Sequence, residues 1–344
     1  MLMIYGATGY TGELVVDEAR ARGLAPIVAG RDPAKVAAVG ARTGLPTRPF
    51  SVDAPDLAGV TVLLNCAGPF SRTAKPLVDA CLRAGVHYLD VTGEIGVFEA
   101  LAARDAEAKA AGILVLPGVG FDVVPTDCLA LHLKQRLPSA TRLRLAIGSS
   151  GGGVSHGTAT TAVENLHAGG AVRKDGRILG VPGAYKTRAV DFGRGPRTAV
   201  TIPWGDVSTA WYTTKIPDIE TYAAFPASAI RGMKLANWIG PVLKWGWVKR
   251  AIQARVDAAP AGPTLEERTK GRSFVWGEVE DDAGGRAEAR LAGPEAYALT
   301  ALTAVEAARR VLEGAPRTGF GTPAGVFGAD FILGFAGVTR DDVG

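Results

Sequence analysis

The chain is short of the residues that would mark a disulfide scaffold, a zinc enzyme or a serine hydrolase. Its three cysteines, Cys66, Cys81 and Cys128, lie far apart with no C-x-x-C pair. Neither a disulfide framework nor a zinc site is indicated, and a reducing cytoplasm is the expected compartment. The four histidines, His87, His132, His156 and His167, form no H-E-x-x-H, and no G-x-S-x-G elbow occurs. No uncharged apolar run reaches the ~18 residues a membrane-spanning helix needs. The opening MLMIYGATGYTG runs straight into a strand and turn, so no secretory leader is expected. Lys plus Arg number 38 against 34 acidic residues, a net charge of +4 over 344 residues, too small an excess to point to nucleic acid.

What is present is a globular composition, 47% hydrophobic and 21% charged, with 45 glycines and 21 prolines spread along the chain. At ~100 to 200 residues per domain this length suggests two domains. From Met1 to Leu116, short β-rich apolar runs alternate with helical patterns. The strands read as LMIYGA, APIVAG, PTRPF, VTVLLNCAG, HYLDVTG and ILVLPG. The helices read as Gly12 to Arg22, Pro33 to Thr43, Arg72 to Ala84 and Val97 to Ala111. This rhythm predicts an α/β fold with an N-terminal Rossmann-type, doubly wound parallel sheet.

GATGYTG stands between the first strand and the first helix, the context that makes a glycine pattern a dinucleotide turn. Gly6 permits the tight turn, Gly9 lets the pyrophosphate approach the backbone, and Gly12 allows close helix packing. The helix end offers N–H groups to phosphate, and Thr8, Tyr10 and Thr11 complete the turn's expected cofactor contacts. The spacing is G-x-x-G-x-x-G rather than G-x-G-x-x-G.

The second strand ends in Gly30-Arg31, where NAD-preferring domains place an acid on the ribose 2′-OH. A guanidinium there suits the 2′-phosphate of NADP instead, and Lys35 is placed to assist. Asp32 weighs the other way, and a solvated surface arginine is the plain alternative. Asp53 is positioned for the adenine amino group. Asn65, Cys66, Ala67, Gly68 and Pro69 end the fourth strand where the nicotinamide ribose passes. Tyr88, Asp90 and Thr92 close the fifth strand, and Gly118 to Asp127 follow the sixth, all on the carboxyl edge where open α/β sheets bind ligands.

GATGYTG, AGRDPAKV, NCAGPF, HYLDVTGE and LPGVGFDVVPTD together resemble the saccharopine dehydrogenase-like NADP-binding oxidoreductases, including members similar to trans-acting enoyl reductases. The resemblance is strong over the first ~130 residues and looser beyond, reaching the G-x-x-TPA segment Gly319 to Ala324. It implies a bilobal protein whose two domains close over the substrate, with the C-terminal helix returning to the first. It also implies reduction of either a C=N bond formed from an amino acid and an aldehyde or a C=C bond on a lipid or polyketide chain.

Residues 1–130, with a return at about 293–344, are expected to form the dinucleotide domain, and 131–292 a substrate or dimerisation domain. The second domain reads as α+β: a mainly antiparallel sheet with helices on one face. Its helices would run from Pro125 to Arg136, Gly157 to His167 and Glu295 to Leu312. Its β-like pieces are RLRLAIGSS, AVRKDGRILG, AYKTRAVDF, RTAVTIPW, STAWYTT and a hairpin around Gly284-Gly285. Gly151 to Gly153 with Ser155, His156, Gly157 and Thr158 would hold an anionic or carbonyl group. His156 is an acid–base candidate because imidazole titrates near neutrality, or it is simply structural. Tyr88, Asp122 and Asp127 compete for the proton-donor role, with helix capping the alternative for the two aspartates.

Residues 221–256 lack acids but carry Arg231, Lys234, Lys244, Lys249, Arg250 and Arg255 among Trp238, Trp245 and Trp247. Peripheral membrane contact, a lid, a homodimer contact and an ordinary core helix all fit this pattern. The combined reading is an NADPH-dependent reductase acting on the polarised C=C or C=N bond of a small, rather apolar molecule, with no metal. Arg173, Arg177, Arg188, Arg194 and Arg197 keep an amino-acid imine substrate open. A non-catalytic NADP-binding scaffold at a membrane surface is the rival from another class.

Overall fold

A computed structural model describes residues 1–151, 169–234 and 262–343. His156, the helix expected from Gly157 to His167, and the three tryptophans of the 221–256 stretch lie outside the described residues. The described chain divides into two units, Met1–Val124 with Tyr297–Val326, and Pro125–Ala296 with Phe327–Gly344.

The first unit is a parallel sheet whose central strands are mostly apolar. Strands β1 (Leu2–Tyr5), β2 (Ile27–Gly30), β4 (Val62–Asn65) and β6 (Leu114–Leu116) are buried at every position, as a sheet covered on both faces requires. Strands β3 (Thr47–Pro49) and β5 (His87–Asp90) complete the expected six. The crossovers are α1 (Tyr10–Ala21), α2 (Pro33–Thr43), α3 (Phe70–Ala84), α4 (Ile95–Ala102) and α5 (Asp105–Ala110). The helix expected from Val97 to Ala111 is therefore two helices. Arg104 stands between them, bonded to Asp79 at 2.5 Å and to Glu107 at 2.8 Å. A seventh strand, formed late in the chain by Gly319–Phe320, pairs with β6, giving an order in which it is followed by β6, β5, β4, β1, β2 and β3. The TPA-containing segment thus extends the parallel sheet.

The second unit opens with α6 (Val124–Arg136) and β7 (Arg142–Ser150). The hairpin β8 (Gly170–Lys174) and β9 (Arg177–Val181), then β10 (Thr187–Asp191) and β11 (Pro196–Thr201), form as the alternation predicts. STAWYTT does not. It lies in α7 (Asp206–Thr214), where the hydroxyls of Thr209 and Thr214 donate to the carbonyls four residues back, at 3.4 and 2.6 Å. Its β-branched and aromatic content favours a strand, but burial of Val207, Ala210 and Thr214 on one side overrides that weak preference.

Strand β12 (Asp218–Ala224) follows, so the acid-free stretch beginning at Thr221 starts in a strand rather than in a helix. After the short helix α8 (Leu265–Lys270), β13 (Arg272–Glu280) and β14 (Arg286–Pro294) form the expected hairpin, its turn held by Asp281, whose Oδ1 accepts from Ala283 and Gly285. The sheet is mixed: β12 and β7 run parallel, and its other pairs are antiparallel. Leu129 and Leu133 of α6 pack on one face against Gly277.

The return to the first unit begins with α9 (Ala296–Glu313) and the strand Gly319–Phe320, β15. It ends earlier than the expected 344. Residues after Val326 group with the second unit because β16 (Thr339–Val343) pairs antiparallel with β14. Among the described residues no helix is long and apolar enough to cross a membrane.

Candidate functional site

The three glycines of the first turn differ in what surrounds them. Gly6 adopts φ +81, and a Cβ there would stand 2.6 Å from the Ala67 nitrogen. On Gly12 a Cβ would come within 2.1 Å of the Gly6 carbonyl oxygen. Both are required by packing inside the domain. Gly9 is different: its backbone is extended, at φ −90 and ψ 163, and the nearest heavy atom to a Cβ would be the Gly6 oxygen at 3.5 Å. Protein atoms do not demand glycine there, which suits a position kept bare for the approach of a pyrophosphate. Gly9 precedes α1 without any side-chain cap, leaving the helix end for an anion. The Tyr10 ring lies edge-on against Tyr297 at 5.2 Å, so its side chain joins α1 to α9. Thr8 lies beside Gly30, and Thr11 is partly exposed.

At the end of β2, Asp32 and Arg31 have separate tasks. Asp32 is the N-cap of α2, its Oδ1 accepting the N–H groups of Ala34 at 3.0 Å and Lys35 at 3.1 Å, with Pro33 in the first turn. Arg31 and Lys35 are exposed, and neither forms an ion pair among the described residues. Arg31 lies close enough to Tyr5 to act on its phenol, which burial pushes up while Arg31 pulls it down. Asp53 is exposed, and its carboxylate accepts from the Ser51 hydroxyl at 3.2 Å. Exposed cations, a bare glycine and an acid already engaged in capping are together a fit to a dinucleotide bearing a 2′-phosphate.

The ends of β4 and β5 are tied by buried polar groups. Asn65 is fully buried. Its Nδ2 donates to Thr73 and to the Tyr88 hydroxyl, each at 3.1 Å, and its Oδ1 accepts from Ala67 at 2.9 Å. Tyr88 in turn donates to Asp90 at 2.9 Å. Asp90 also accepts from the N–H groups of Thr92 and Gly118, each at 3.0 Å, tying the β5 loop to the β6 loop. Burial pushes Asp90 up to about 6, against these hydrogen bonds, and the Glu94 carboxylate acts in the same direction as burial. Tyr88 is enclosed, with burial holding its phenol far above the ordinary tyrosine value. The hydroxyl of Tyr88, one of the proton-donor candidates, is engaged between Asn65 and Asp90, away from solvent. Burial likewise pushes the Cys66 thiol up to about 12, so it stays protonated and poorly nucleophilic.

Glu94, in the HYLDVTGE motif, is a site residue that spacing alone did not single out. Its two carboxylate oxygens accept from the N–H groups of Phe70 at 2.8 Å and Ser71 at 3.0 Å. It thereby caps α3 from another loop, just after the cis Gly68–Pro69 bond. Its role was invisible because donor and acceptor lie 24 residues apart in the chain.

Asp122 and Asp127 are brought to different surroundings. Asp127 is buried and accepts from Thr213 at 2.5 Å, and Thr126 donates to Asp206 at 2.7 Å, forming a polar network between α6 and α7. Asp206 is thus a second buried carboxylate that the sequence reading missed. Asp122 is partly buried and has no hydrogen bond or ion pair among the described residues. It does not cap α6. Its Oδ2 lies where a Cβ on Gly93 would be only 2.7 Å away, and burial pushes it up to about 6.

Comparison with known proteins agrees with this geometry. Residues 2–116 match the saccharopine dehydrogenase NADP binding domain. Over 149 residues the chain is 32% identical to a trans-acting enoyl reductase of Mycobacterium leprae, covering 40% of this chain and 36% of that protein. Over 194 residues it is 27% identical to a saccharopine dehydrogenase-like oxidoreductase of Bos taurus, covering 47% and 45%. The chain thus spans less than half the length of these curated relatives. In fold it is similar to an apo saccharopine dehydrogenase (L-Glu forming) from Saccharomyces cerevisiae, with a TM-score of 0.68 at 13% identity over 100% of this chain and 99% of that one. The resemblance drawn from the five N-terminal motifs is borne out.

Proposed function

We propose that the protein is an NADPH-dependent reductase acting on a polarised C=C or C=N bond of a small, rather apolar molecule. The observation that carries the cofactor choice is the division of labour at β2, where Asp32 caps α2 and Arg31 and Lys35 are exposed beside the glycine turn. NADPH, when bound, supplies a hydride from its reduced nicotinamide to the substrate. The chain's part is to bind and orient. Gly9 and the uncapped end of α1 receive the phosphates, Arg31 meets the 2′-phosphate, and Asn65, Asp90 and Glu94 set the wall beyond β4.

Arginines of the second unit support an uncharged reacting end. Arg173 is buried and donates to the Val207 and Gly176 carbonyls at 2.8 and 2.7 Å. Arg188 bonds to Glu278 at 3.1 Å and lies 4.6 Å over the Trp276 ring, and Arg194 lies 4.9 Å over Phe274. These three groups are engaged within the fold, whereas Arg177 and Arg197 are exposed. The relatives include both a trans-acting enoyl reductase and a saccharopine dehydrogenase-like oxidoreductase, so C=C and C=N acceptors are both to be tried.

Calorimetric titration with NADPH and with NADH tests the reading first. An absorbance assay of NADPH oxidation with crotonyl-CoA and with 2-methyl-1-pyrroline then tests the reaction. Preferential NADPH binding and oxidation by one acceptor are expected. Tight binding with no oxidation by any enoyl or imine acceptor would favour a scaffold, and absence of binding would overturn the reading.

A further inference from the structure

The loop after β6 is fastened at almost every polar point. Gly118 N–H donates to the Asp90 carboxylate and Val119 N–H to the Asp90 carbonyl, at 3.0 and 2.8 Å. From α9, Thr300 Oγ1 accepts the Phe121 N–H at 3.0 Å, and Thr303 donates to the Val119 carbonyl at 2.8 Å. Four anchors on residues 118–121 leave the loop a rigid mount. The side chain that follows them, Asp122, has no partner among the described residues, although it lies on the carboxyl edge of the sheet and is partly reachable from outside. An acid kept half-buried with neither cap nor counter-ion costs stability, and such groups concentrate at reactive sites.

We infer that Asp122 is the proton donor of the reductase: its protonated carboxyl, held over Gly93 by the rigid β6–α6 loop, protonates the atom of the double bond that does not receive the hydride. This rests on the reductase reading. The hydride adds to one carbon of C=C, or to the carbon of C=N, and the π pair moves to the neighbouring carbon, through an enolate, or to nitrogen. The Asp122 O–H bond breaks, its proton joins that atom, and the carboxylate left behind is reprotonated from water.

Burial is what keeps the carboxyl protonated towards neutral pH, at about 6. Among the described residues burial is the cause of that rise. Asp90 and Glu94 of the β5 loop are bonded to backbone N–H groups and, for Asp90, Tyr88. From α9 the loop is met by the neutral side chains of Thr300 and Thr303. Gly93 is part of the device, because a Cβ there would stand 2.7 Å from Oδ2 and 3.1 Å from the Asp122 Cβ.

The test pairs Asp122→Asn with a Gly93→Ala variant that keeps the carboxyl but displaces it. Crotonyl-CoA and 2-methyl-1-pyrroline serve as acceptors, and a 13C NMR titration of labelled aspartate carboxyls serves as a readout independent of turnover. Expected are wild-type NADPH affinity and an unlowered Tm for Asp122→Asn, since no hydrogen bond is lost. Its kcat should fall ~100-fold or more, and the wild-type decline in rate as pH rises through about 6 should vanish. Gly93→Ala should also lose rate. The resonance absent from Asp122→Asn should titrate near 6 in wild type. A folded Asp122→Asn that keeps the wild-type rate and pH profile overturns the proposal, as does a resonance titrating at an ordinary aspartate value. Failure of the wild type to oxidise NADPH with either acceptor overturns the reductase reading instead, and the NMR titration still decides the state of the carboxyl.

Discussion

A Cβ on Gly12 would stand 2.1 Å from the carbonyl oxygen of Gly6, whereas one on Gly9 would meet nothing nearer than 3.5 Å. The two glycines of one motif therefore answer to different constraints, and alanine separates them. Gly12→Ala should destabilise the protein by about 2 kcal/mol or more through overpacking, read by urea unfolding. Gly9→Ala should leave Tm unchanged or slightly raised, because its backbone angles suit alanine, and should weaken NADPH in calorimetry. A Gly9→Ala protein with full affinity would remove the phosphate from this turn.

Arg31→Ala should weaken NADPH by about 10- to 150-fold, the equivalent of a charge-assisted contact worth about 1.5–3 kcal/mol. NADH binding should hardly change. Equal losses for the two cofactors would count against a 2′-phosphate contact.

Asp32→Ala should cost about 1 kcal/mol of stability by uncapping α2. It should leave the preference for NADPH over NADH in place. A marked drop in NADH affinity alone would show that Asp32 serves the ribose as well as the helix.

Tyr88→Phe removes a hydroxyl that donates to Asp90 and accepts from Asn65. Stability should fall by about 1–3 kcal/mol. Turnover should change far less than the ~100-fold or larger loss expected of a proton donor. A rate collapse in the folded variant would return Tyr88 to the chemistry.

Asp90 carries a pH dependence of defined sign. Its folded value of about 6 stands above the unfolded ~3.9, so the native state binds the proton more tightly. The stabilisation this gives is complete below about pH 4 and is lost as pH rises through about 6, at ~1.4 kcal/mol for each pH unit separating the two values. Asp90→Asn stays neutral throughout. Relative to wild type it should therefore gain stability between pH 4 and pH 7 in paired urea titrations, and a constant difference would show that Asp90 is not raised.

The parallel sheet was legible because its central strands are mostly apolar and its turns carry their own signals: the glycines of the first turn, and Asp32-Pro33 at the start of α2. STAWYTT was misleading for a physical reason. Its threonines favour strands in isolation, but their hydroxyls can bond back along a helix, and packing chose the helix. The cofactor end of the site was readable from local motifs. The wall beyond β4 was not, since Glu94 reaches N–H groups of α3 and Asp90 reaches Gly118.

By itself the sequence determined which segments must be buried, where the backbone needs glycine and which short stretches begin helices, because these depend on side-chain polarity, steric volume and bonds a few residues long. The tertiary structure alone decided that Tyr88 points into a closed network and that Asp122 is left without a cap. It also decided that residues beyond Val326 join the second sheet through β16. Each of these rests on contacts between groups distant in sequence, such as Phe121 with Thr300, and local composition carries no record of which distant partner a side chain will meet.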